Sequence, residues 1–337
     1  MYEMNNMSIN GDQAYIDYKF DPFTVPVLAA SIPLIYLLPT MYIVVKIVKK
    51  FFQNLWGQKD STINFHVFSV IVLHLTLVGF KSVPSLQPYS FQAVLYLLTD
   101  YTTIRIPATG LITSWCASQQ PNHGLKILFL LSVYFNYTAM LFPALLSVLR
   151  LIPIYYPFKV DEICARIVRR STPLILLYPF LFCFPLIPAL GDCRQLLGTY
   201  QFGGIYFYWT GAWLNIKQAE SLILNSVFWC SFCTIANVIL YKKLKKMRTK
   251  RESVKLQRSE LSLTLITFSM FPAYFTNFAF LFGFLISAES AAYLIALRPY
   301  GSDVEFVCVA WIFYLTHPIF RKKRVFPVDG TRTQVTF

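Results

Sequence analysis

Residues 127–149 have the sequence ILFLLSVYFNYTAMLFPALLSVL, an apolar run without a charged side chain that ends at Arg150. A helix needs about 20 consecutive apolar residues to cross the hydrocarbon core of a bilayer. The chain contains six more uncharged runs, the last of them shorter: Thr24–Val45, Ser61–Phe80, Ser171–Leu190, Ser221–Tyr241, Leu261–Ala288 and Phe306–Phe320. Because a chain in lipid must satisfy its own backbone hydrogen bonds, the pattern predicts an all-α bundle of seven transmembrane helices.

The composition argues against a soluble protein. Hydrophobic residues make up 56% of the 337 residues and charged residues only 14%. In soluble domains about 45–50% of the residues are usually hydrophobic and about 25% are charged, so this chain lacks the charged residues for a polar exterior. The net charge is +14, and the basic residues lie between the apolar runs rather than along one face of the protein. This distribution argues against nucleic-acid binding.

The basic residues predict the orientation. If the N-terminus lies outside, the cytoplasmic segments are Lys46–Asp60, Arg150–Arg170, Lys242–Glu260 and the tail from Arg321. Those segments hold 23 of the 30 basic residues, and the outer segments hold the other 7. Since lysine and arginine are enriched in cytoplasmic loops, this split predicts an extracellular N-terminus and a cytoplasmic C-terminus.

The same reasoning divides the chain into three parts. Residues 1–23 are expected to form an extracellular tail, residues 24–320 the seven-helix domain, and residues 321–337 a cytoplasmic tail. The first 23 residues contain four acidic residues and one lysine, whereas a secretory signal begins with basic residues. The first apolar run is therefore expected to act as a signal anchor that is not cleaved.

Two stretches leave an alternative open. Gln195–Ile216 lacks charges but contains four glycines, and Ser82–Thr99 contains Pro84 and Pro88. Counting either one alone as a further span would move the later basic loops to the outside. Both are expected to be structured outer loops packed over the bundle.

Two basic features lie on the predicted cytoplasmic side. A cluster after the fifth run could anchor the protein to anionic lipid, dock a cytoplasmic partner, or do both; it includes Lys242, Lys243, Lys245, Lys246 and Arg248. Arg150 could extend to the membrane interface along its aliphatic stem. Alternatively, it could pair with neighbouring helices in one state and with a partner in another.

The outer segments carry two candidate modifications. Cys116 and Cys193 are predicted to face the oxidising exterior, where a disulfide would tie the third helix to the second outer loop. Asn6-Met-Ser8 is an N-glycosylation sequon in the predicted outer tail. Asn136-Tyr-Thr138 also matches the sequon but lies inside a predicted span.

Few polar side chains interrupt the apolar runs. Interhelical hydrogen bonding is the default expectation for the asparagines among them. Some of the polar residues in the outer half could instead line a ligand cavity between helices; the candidates are Tyr134, Tyr137, Asn277 and Glu305. Lys126 and Glu305 both lie near the predicted outer surface and could pair.

Signals for catalysis are missing from the sequence. It contains no HExxH motif, no GxSxG motif and no glycine-rich phosphate loop. An enzyme is not expected, and neither is a metal or another cofactor.

Three segments carry a family resemblance. They are the run from Ile104-Arg-Ile-Pro to Gln-Pro-Asn-His123, the run Leu145–Pro157, and Pro185-Leu-Ile-Pro-Ala-Leu-Gly-Asp-Cys-Arg-Gln195, with an opening Ile9-Asn-Gly-Asp that fits the same pattern. Over nearly its whole length the chain resembles nematode serpentine receptors of class U. The resemblance implies a chemoreceptor like a G-protein-coupled receptor, in the plasma membrane of a sensory neuron. Its implied partners are an external small molecule and a heterotrimeric G protein.

The resemblance also implies a role for Arg150, that of the arginine at the inner end of helix three in better-known receptors. Leu149 stands where those receptors carry an acidic residue. His317-Pro318 stands where they carry an NPxxY-like motif.

Other functional classes fit less well. Transporters and ligand-gated channel subunits usually show intramembrane charges, broken helices or repeats, which are scarce here. Insect-type odorant channels have seven spans with the N-terminus inside, against the observed charge split. A structural or trafficking membrane protein without a ligand stays open.

Overall fold

A computed structural model describes residues 8–56, 65–75, 97–196, 202–213, 218–248, 263–286 and 288–320. The chain is mostly helical. Its α-helices are α1 (Gln13–Ile16), α2 (Val25–Trp56), α3 (Phe65–Leu75), α4 (Ile106–Ala108), α5 (Thr113–Ser118), α6 (His123–Tyr155), α7 (Val160–Leu177), α8 (Phe180–Cys183), α9 (Gln218–Arg248), α10 (Phe271–Ile286) and α11 (Ala288–Thr316).

Shorter helical pieces adjoin these helices. A π-helical turn at Tyr101–Arg105 continues the helical residues 97–100 into α4, and residues 263–269 are helical before α10. Two 3₁₀ turns, Phe184–Leu186 and Pro318–Phe320, follow α8 and α11.

Within the described residues, five helical stretches are long and apolar enough to cross a membrane: Val25–Asn54, His123–Tyr155, Val160–Leu186, Glu220–Lys243 and Leu263–Phe280. Each overlaps one of the predicted runs. The helix α3 is apolar as well, but only 11 of its residues are described. The surface fits lipid contact, because α2 exposes a helical stripe of large apolar side chains that includes Leu28, Ile32 and Ile35.

The last helix differs from the prediction. The sequence predicts a span that begins at Phe306, whereas α11 begins at Ala288 and continues to Thr316. The apolar pattern is interrupted by Arg298, Asp303 and Glu305, so the predicted start was placed after them, whereas the helix itself begins earlier. All three side chains lie buried within the helix, since they face other helices rather than water.

The helix α6 lies at the centre of the bundle. Asn122 caps its N-terminus, accepting a hydrogen bond from the Leu125 backbone N–H at 3.0 Å. Its inner half is apolar on nearly every side and contacts α3, α7 and α9, as expected for a fully buried helix. Phe142 and Leu146 belong to the main core together with Phe68 of α3 and Phe313 of α11.

A small sheet covers the predicted outer side. The strands β1 (Leu190–Gln195) and β2 (Ile205–Thr210) pair antiparallel, with Leu190 opposite Thr210 and Gln195 opposite Ile205. The N-terminal segment joins this sheet: the Ile9 N–H donates to the Cys193 carbonyl at 3.1 Å, and Ser8 bridges to Arg194. The described part of Gln195–Ile216 is thus β-structure, not a span.

The other stretch in doubt is described only at its end. Residues 97–99 of Ser82–Thr99 are helical, with Leu97 and Thr99 buried, and they continue into the Tyr101–Arg105 turn. Residues 82–96 lie outside the described part of the chain. The stretch was expected to be a structured outer loop packed over the bundle, and its described end is helical and buried against the bundle.

Candidate functional site

A cavity lies between the helices, on the side of the bundle that carries the small sheet. About 530 Å³ in and around it is free of protein atoms, a figure that includes open solvent at its mouth. Four helices and the segment at residue 97 contribute to its wall, whose residues are His74, Leu97, Asn136, Ala139, Met140, Ala273, Tyr274, Asn277, Ser302, Glu305 and Phe306. Its mixture of apolar and polar lining residues is typical of a site for a small molecule.

An amide network fixes one wall of this cavity. The Asn277 Nδ2 lies 3.5 Å from the Asn136 Oδ1, and the Arg298 Nε donates to the Asn277 Oδ1 at 2.8 Å. All three side chains are buried. The network connects α6, α10 and α11, so a change in how one of these helices packs alters this wall.

The opposite side of the cavity holds a histidine and a carboxylate. The His74 Nε2 of α3 and the Glu305 Oε1 of α11 are 3.1 Å apart, and both residues are more than nine-tenths buried. Neither of these two atoms makes a hydrogen bond to any of the residues that the structure describes. The contact is therefore electrostatic, without the directional geometry of a good hydrogen bond.

A buried ionic cluster lies beside the cavity. Arg105 donates from Nε to the Asp100 Oδ2 at 3.0 Å and from Nη2 to the Asp303 Oδ1 at 2.7 Å. The hydroxyl of Tyr36 donates to the other oxygen of Asp303 at 2.5 Å. The cluster links α2, the helical segment before α4, and α11. Arg105 was predicted in an outer segment, and its guanidinium is enclosed by two carboxylates.

Two of the four predicted ligand-binding residues line the cavity and two do not. Asn277 and Glu305 face it. Tyr134 turns towards α7 and donates to the Leu176 carbonyl at 2.9 Å, while Tyr137 stacks on Phe182 with ring centroids 4.2 Å apart. The two tyrosines therefore pack α6 against α7 and α8.

The predicted pairing of Lys126 with Glu305 is wrong. The Lys126 Nζ donates to the Ile187 carbonyl at 2.6 Å, whereas Glu305 faces His74. Since α11 extends well beyond its predicted start, Glu305 lies deeper in the bundle than the sequence suggested.

Three residues in or beside the cavity were not predicted as site residues from the sequence: Arg105, Arg298 and His74. Charged side chains are rare within membrane bundles, and those that occur face the bundle interior or pair with each other. This rarity was the signal in the sequence that could have identified them. The sequence alone did not show which charges lie inside the bundle.

The β1–β2 sheet, the N-terminal segment and α5 form an outer layer, which a disulfide and several polar contacts stabilise. A disulfide joins Cys116 of α5 to Cys193 of β1, with Cα atoms 6.2 Å apart. The Ser8 Oγ donates to the Asp192 Oδ1 at 2.9 Å, and the Arg194 guanidinium lies 3.9 Å from the centre of the Tyr208 ring. Burial in this layer raises the pKa of Tyr206 to about 12. Asn6, the predicted glycosylation site, lies outside the described residues.

At the other end of the bundle, Arg150 is fully enclosed. Only 1% of its surface is exposed, so its guanidinium does not extend to the interface. Its Nη1 donates to the Thr267 Oγ1 at 2.7 Å and its Nη2 to the Thr264 Oγ1 at 2.6 Å. These bonds attach α6 to the helical residues 263–269.

The basic cluster continues the helix α9. The side chains of Lys242, Lys243 and Lys245 are exposed, and the Lys243 Nζ lies 5.1 Å from the centre of the Tyr155 ring. Lys246 and Arg248 belong to the same helix, but their side chains lie outside what the structure describes.

Metal chemistry finds no support in the described residues. Within those ranges, no group of three or more His, Cys, Asp or Glu side chains could hold a metal ion. The arrangement instead offers a cavity beside the middle of α6 and a buried arginine nearer its C-terminal end.

Comparisons with known proteins point to a family. Residues 9–323 match the family model described as "Serpentine type 7TM GPCR chemoreceptor Sru". The chain is also similar to Serpentine receptor class U-26 of Caenorhabditis elegans. The two are 31% identical over 275 residues, which cover 80% of this chain and 89% of that receptor.

Proposed function

The chain belongs to the Sru family of serpentine chemoreceptors, and we propose that it binds an external small molecule and signals to a heterotrimeric G protein. This is a nematode family of receptors rather than of enzymes. In the proposed mechanism a ligand in the cavity favours one packing of the helices over another. Binding alone is insufficient, because a ligand shifts an equilibrium only through different affinities for the two states.

The proposed topology has seven spans. Residues 1–23 are outside, residues 24–320 form the helical domain, and residues 321–337 lie in the cytoplasm. The 23 basic residues in the inner segments against 7 in the outer ones support this orientation. The proposed location is the plasma membrane of a sensory neuron.

One observation carries the mechanism: Arg150 is buried and bonded to both Thr264 and Thr267. In this arrangement the guanidinium cannot reach a cytoplasmic protein. A packing that moves residues 263–269 away from α6 would release it. This change would make Arg150 a two-state element whose equilibrium both the ligand and the G protein can shift.

A single helix can connect the two sites. Asn136 lines the cavity and Arg150 makes the inner contacts, both from α6. At a rise of 1.5 Å per residue they are roughly 21 Å apart along the helix axis. The segment that bonds Arg150 leads into α10, which carries Tyr274 and Asn277 of the cavity wall. Movement of α10 relative to α6 would therefore change both the cavity wall and the contacts of Arg150.

The proposed contact surface for the G protein is the basic end of α9, with Lys242, Lys243, Lys245, Lys246 and Arg248. These cations also fit contact with anionic lipid, and the two roles are compatible. On the outside, the Cys116–Cys193 bridge restrains the sheet over the bundle, and glycosylation is proposed at Asn6.

Expression in cells that contain a promiscuous G protein, screened with a panel of volatile and soluble small molecules, tests the function. An active compound should lose its effect in Arg150→Ala while surface delivery of the variant is retained. Arg166→Ala is the matched control, since Arg166 is an exposed cation of α7 that pairs with the exposed Glu162. Signalling that survives Arg150→Ala contradicts the assigned role.

The same cells separate a receptor from a channel. A ligand-evoked current that persists when G proteins are blocked would overturn the receptor mechanism. A response that disappears with the block supports it.

A further inference from the structure

Glu305 is the starting point, because it is the one formally charged side chain among the described residues that line the cavity. Its residue surface is only 9% exposed. Moving a carboxylate out of water is costly unless an opposite charge or good hydrogen bonds compensate. Glu305 Oε1 has no hydrogen bond within the described part of the chain.

The nearby arginines do not compensate this carboxylate directly. Arg105 is bound to Asp100 and Asp303, and Arg298 donates to Asn277. Among the described residues of this region, two arginines against three carboxylates leave one surplus negative charge whenever His74 is neutral. Since Glu305 faces the cavity, that surplus lies where a ligand would bind.

The remaining wall suits a short apolar group. Met140 and Phe306 face the cavity, and Ala139 and Ala273 leave space beside them. The amide of Asn136 offers a second polar contact in the cavity wall. An anionic ligand would place its charge in the same space as the Glu305 carboxylate, which would cost free energy rather than gain it.

We propose that this cavity binds a small organic cation, an amine with a short apolar group, whose ammonium pairs with the Glu305 carboxylate. The inference rests on the proposed receptor function for its biological meaning. The binding step itself requires no G protein. An amine fits because its N–H groups can donate to the Glu305 carboxylate, and charge-assisted bonds of this kind are the strong ones.

The test is thermal unfolding of the purified full-length protein in detergent. The probes are primary and secondary amines of up to about ten heavy atoms, each measured beside its matching alcohol and carboxylic acid. A ligand that binds only the folded state raises the melting temperature. We expect at least one amine to raise it, without an effect of its alcohol or acid at the same concentration.

Variants make the assignment specific. Glu305→Gln keeps the shape of the side chain and should weaken amine binding about tenfold or more. Ala139→Leu keeps the carboxylate but fills the cavity and should also abolish the shift, which covers the case in which Glu305→Gln fails to fold. Glu220→Gln, which removes an exposed carboxylate of α9, is the control and should retain the shift.

Three outcomes would overturn the proposal. They are the absence of a shift with every amine, an equal shift with the alcohols or acids, and a shift that persists undiminished in Glu305→Gln. A thermal shift without a cellular response would instead count against G-protein coupling. A G-protein response to uncharged compounds that Glu305→Gln retains would refute the ligand class and leave the receptor function standing.

Discussion

Arg105 and Asp303 form a buried ion pair, with the Arg105 Nη2 and the Asp303 Oδ1 2.7 Å apart. The two residues are 198 positions apart in the chain, so the pair connects the segment before α4 to α11. Tyr36 of α2 donates to the same carboxylate. Three helical segments therefore meet at one carboxylate beside the cavity.

Removing one member of this pair should be strongly destabilising. Arg105→Ala leaves Asp100 and Asp303 buried without their cation, a change that typically costs about 3–5 kcal/mol. The expected result is a lower melting temperature of the purified protein and reduced delivery to the cell surface. Arg166→Ala, which breaks the exposed pair with Glu162, should cost no more than about 0.5 kcal/mol.

A compensating variant distinguishes loss of pairing from loss of packing. Replacing Arg105 by Met together with Asp100→Asn and Asp303→Asn removes the cation and both carboxylates. It should recover much of the stability lost in Arg105→Ala. If the triple variant is no more stable than Arg105→Ala, uncompensated charge is not the cause.

The apolar runs predicted the main helices because they depend only on local composition. The run 127–149 lies wholly within α6, and Ser221–Tyr241 lies within α9. The start of α11 was not predictable in this way. Its charges are stabilised by partners such as Arg105, whose position beside Asp303 depends on the tertiary structure.

The candidate site was predicted in part. Asn277 and Glu305 were recognised as polar residues in an apolar setting, and both line the cavity. Tyr134 and Tyr137 were chosen on the same basis but face α7 and α8. Sequence spacing did not show which side of α6 faces the cavity, since this helix is surrounded by other helices.

Loosening the contacts of Arg150 should raise signalling without ligand, if the proposed mechanism holds. Thr264→Val and Thr267→Val together remove both hydroxyl acceptors while keeping the side-chain shape. Each hydrogen bond to a charged group contributes about 1.5–3 kcal/mol, so basal G-protein activity should rise at least about tenfold. The measurement is second-messenger output at equal surface expression.

The control for that double variant is Thr234→Val. Thr234 is an exposed residue of α9 whose hydroxyl donates to its own helix, so basal output should stay unchanged. If Thr264→Val with Thr267→Val also leaves basal output unchanged, the two bonds do not hold the inactive state.

The disulfide of the outer layer should make stability sensitive to reduction. Cys116 and Cys193 are separated by 77 positions, and closing a loop of that length typically stabilises a protein by about 2–4 kcal/mol. Reducing agent should therefore lower the melting temperature of the wild type. Reducing agent should have little effect on the melting temperature of the double variant Cys116→Ser with Cys193→Ser.

Cys308→Ser is the control for the reduction experiment, since Cys308 is a free, half-buried cysteine of α11. This variant should keep the full sensitivity to reductant. Equal sensitivity of the double-serine variant would mean that reduction acts elsewhere in the chain.

The close approach of α10 and α11 depends on the glycine at position 301. A Cβ atom built there would overlap the Thr276 side chain, so Gly301→Ala should force the two helices apart and cost about 1–3 kcal/mol. Ser302 and Asn277, the next residues along each helix, line the cavity, and the same variant should therefore weaken ligand binding. Thr276→Ala should restore part of both properties in the double variant, because it removes the Oγ1 and Cγ2 atoms that the new methyl group meets and leaves only the Cβ atom. Melting temperatures of the four proteins in this cycle measure the coupling, and purely additive effects would show that Gly301 does not act through Thr276.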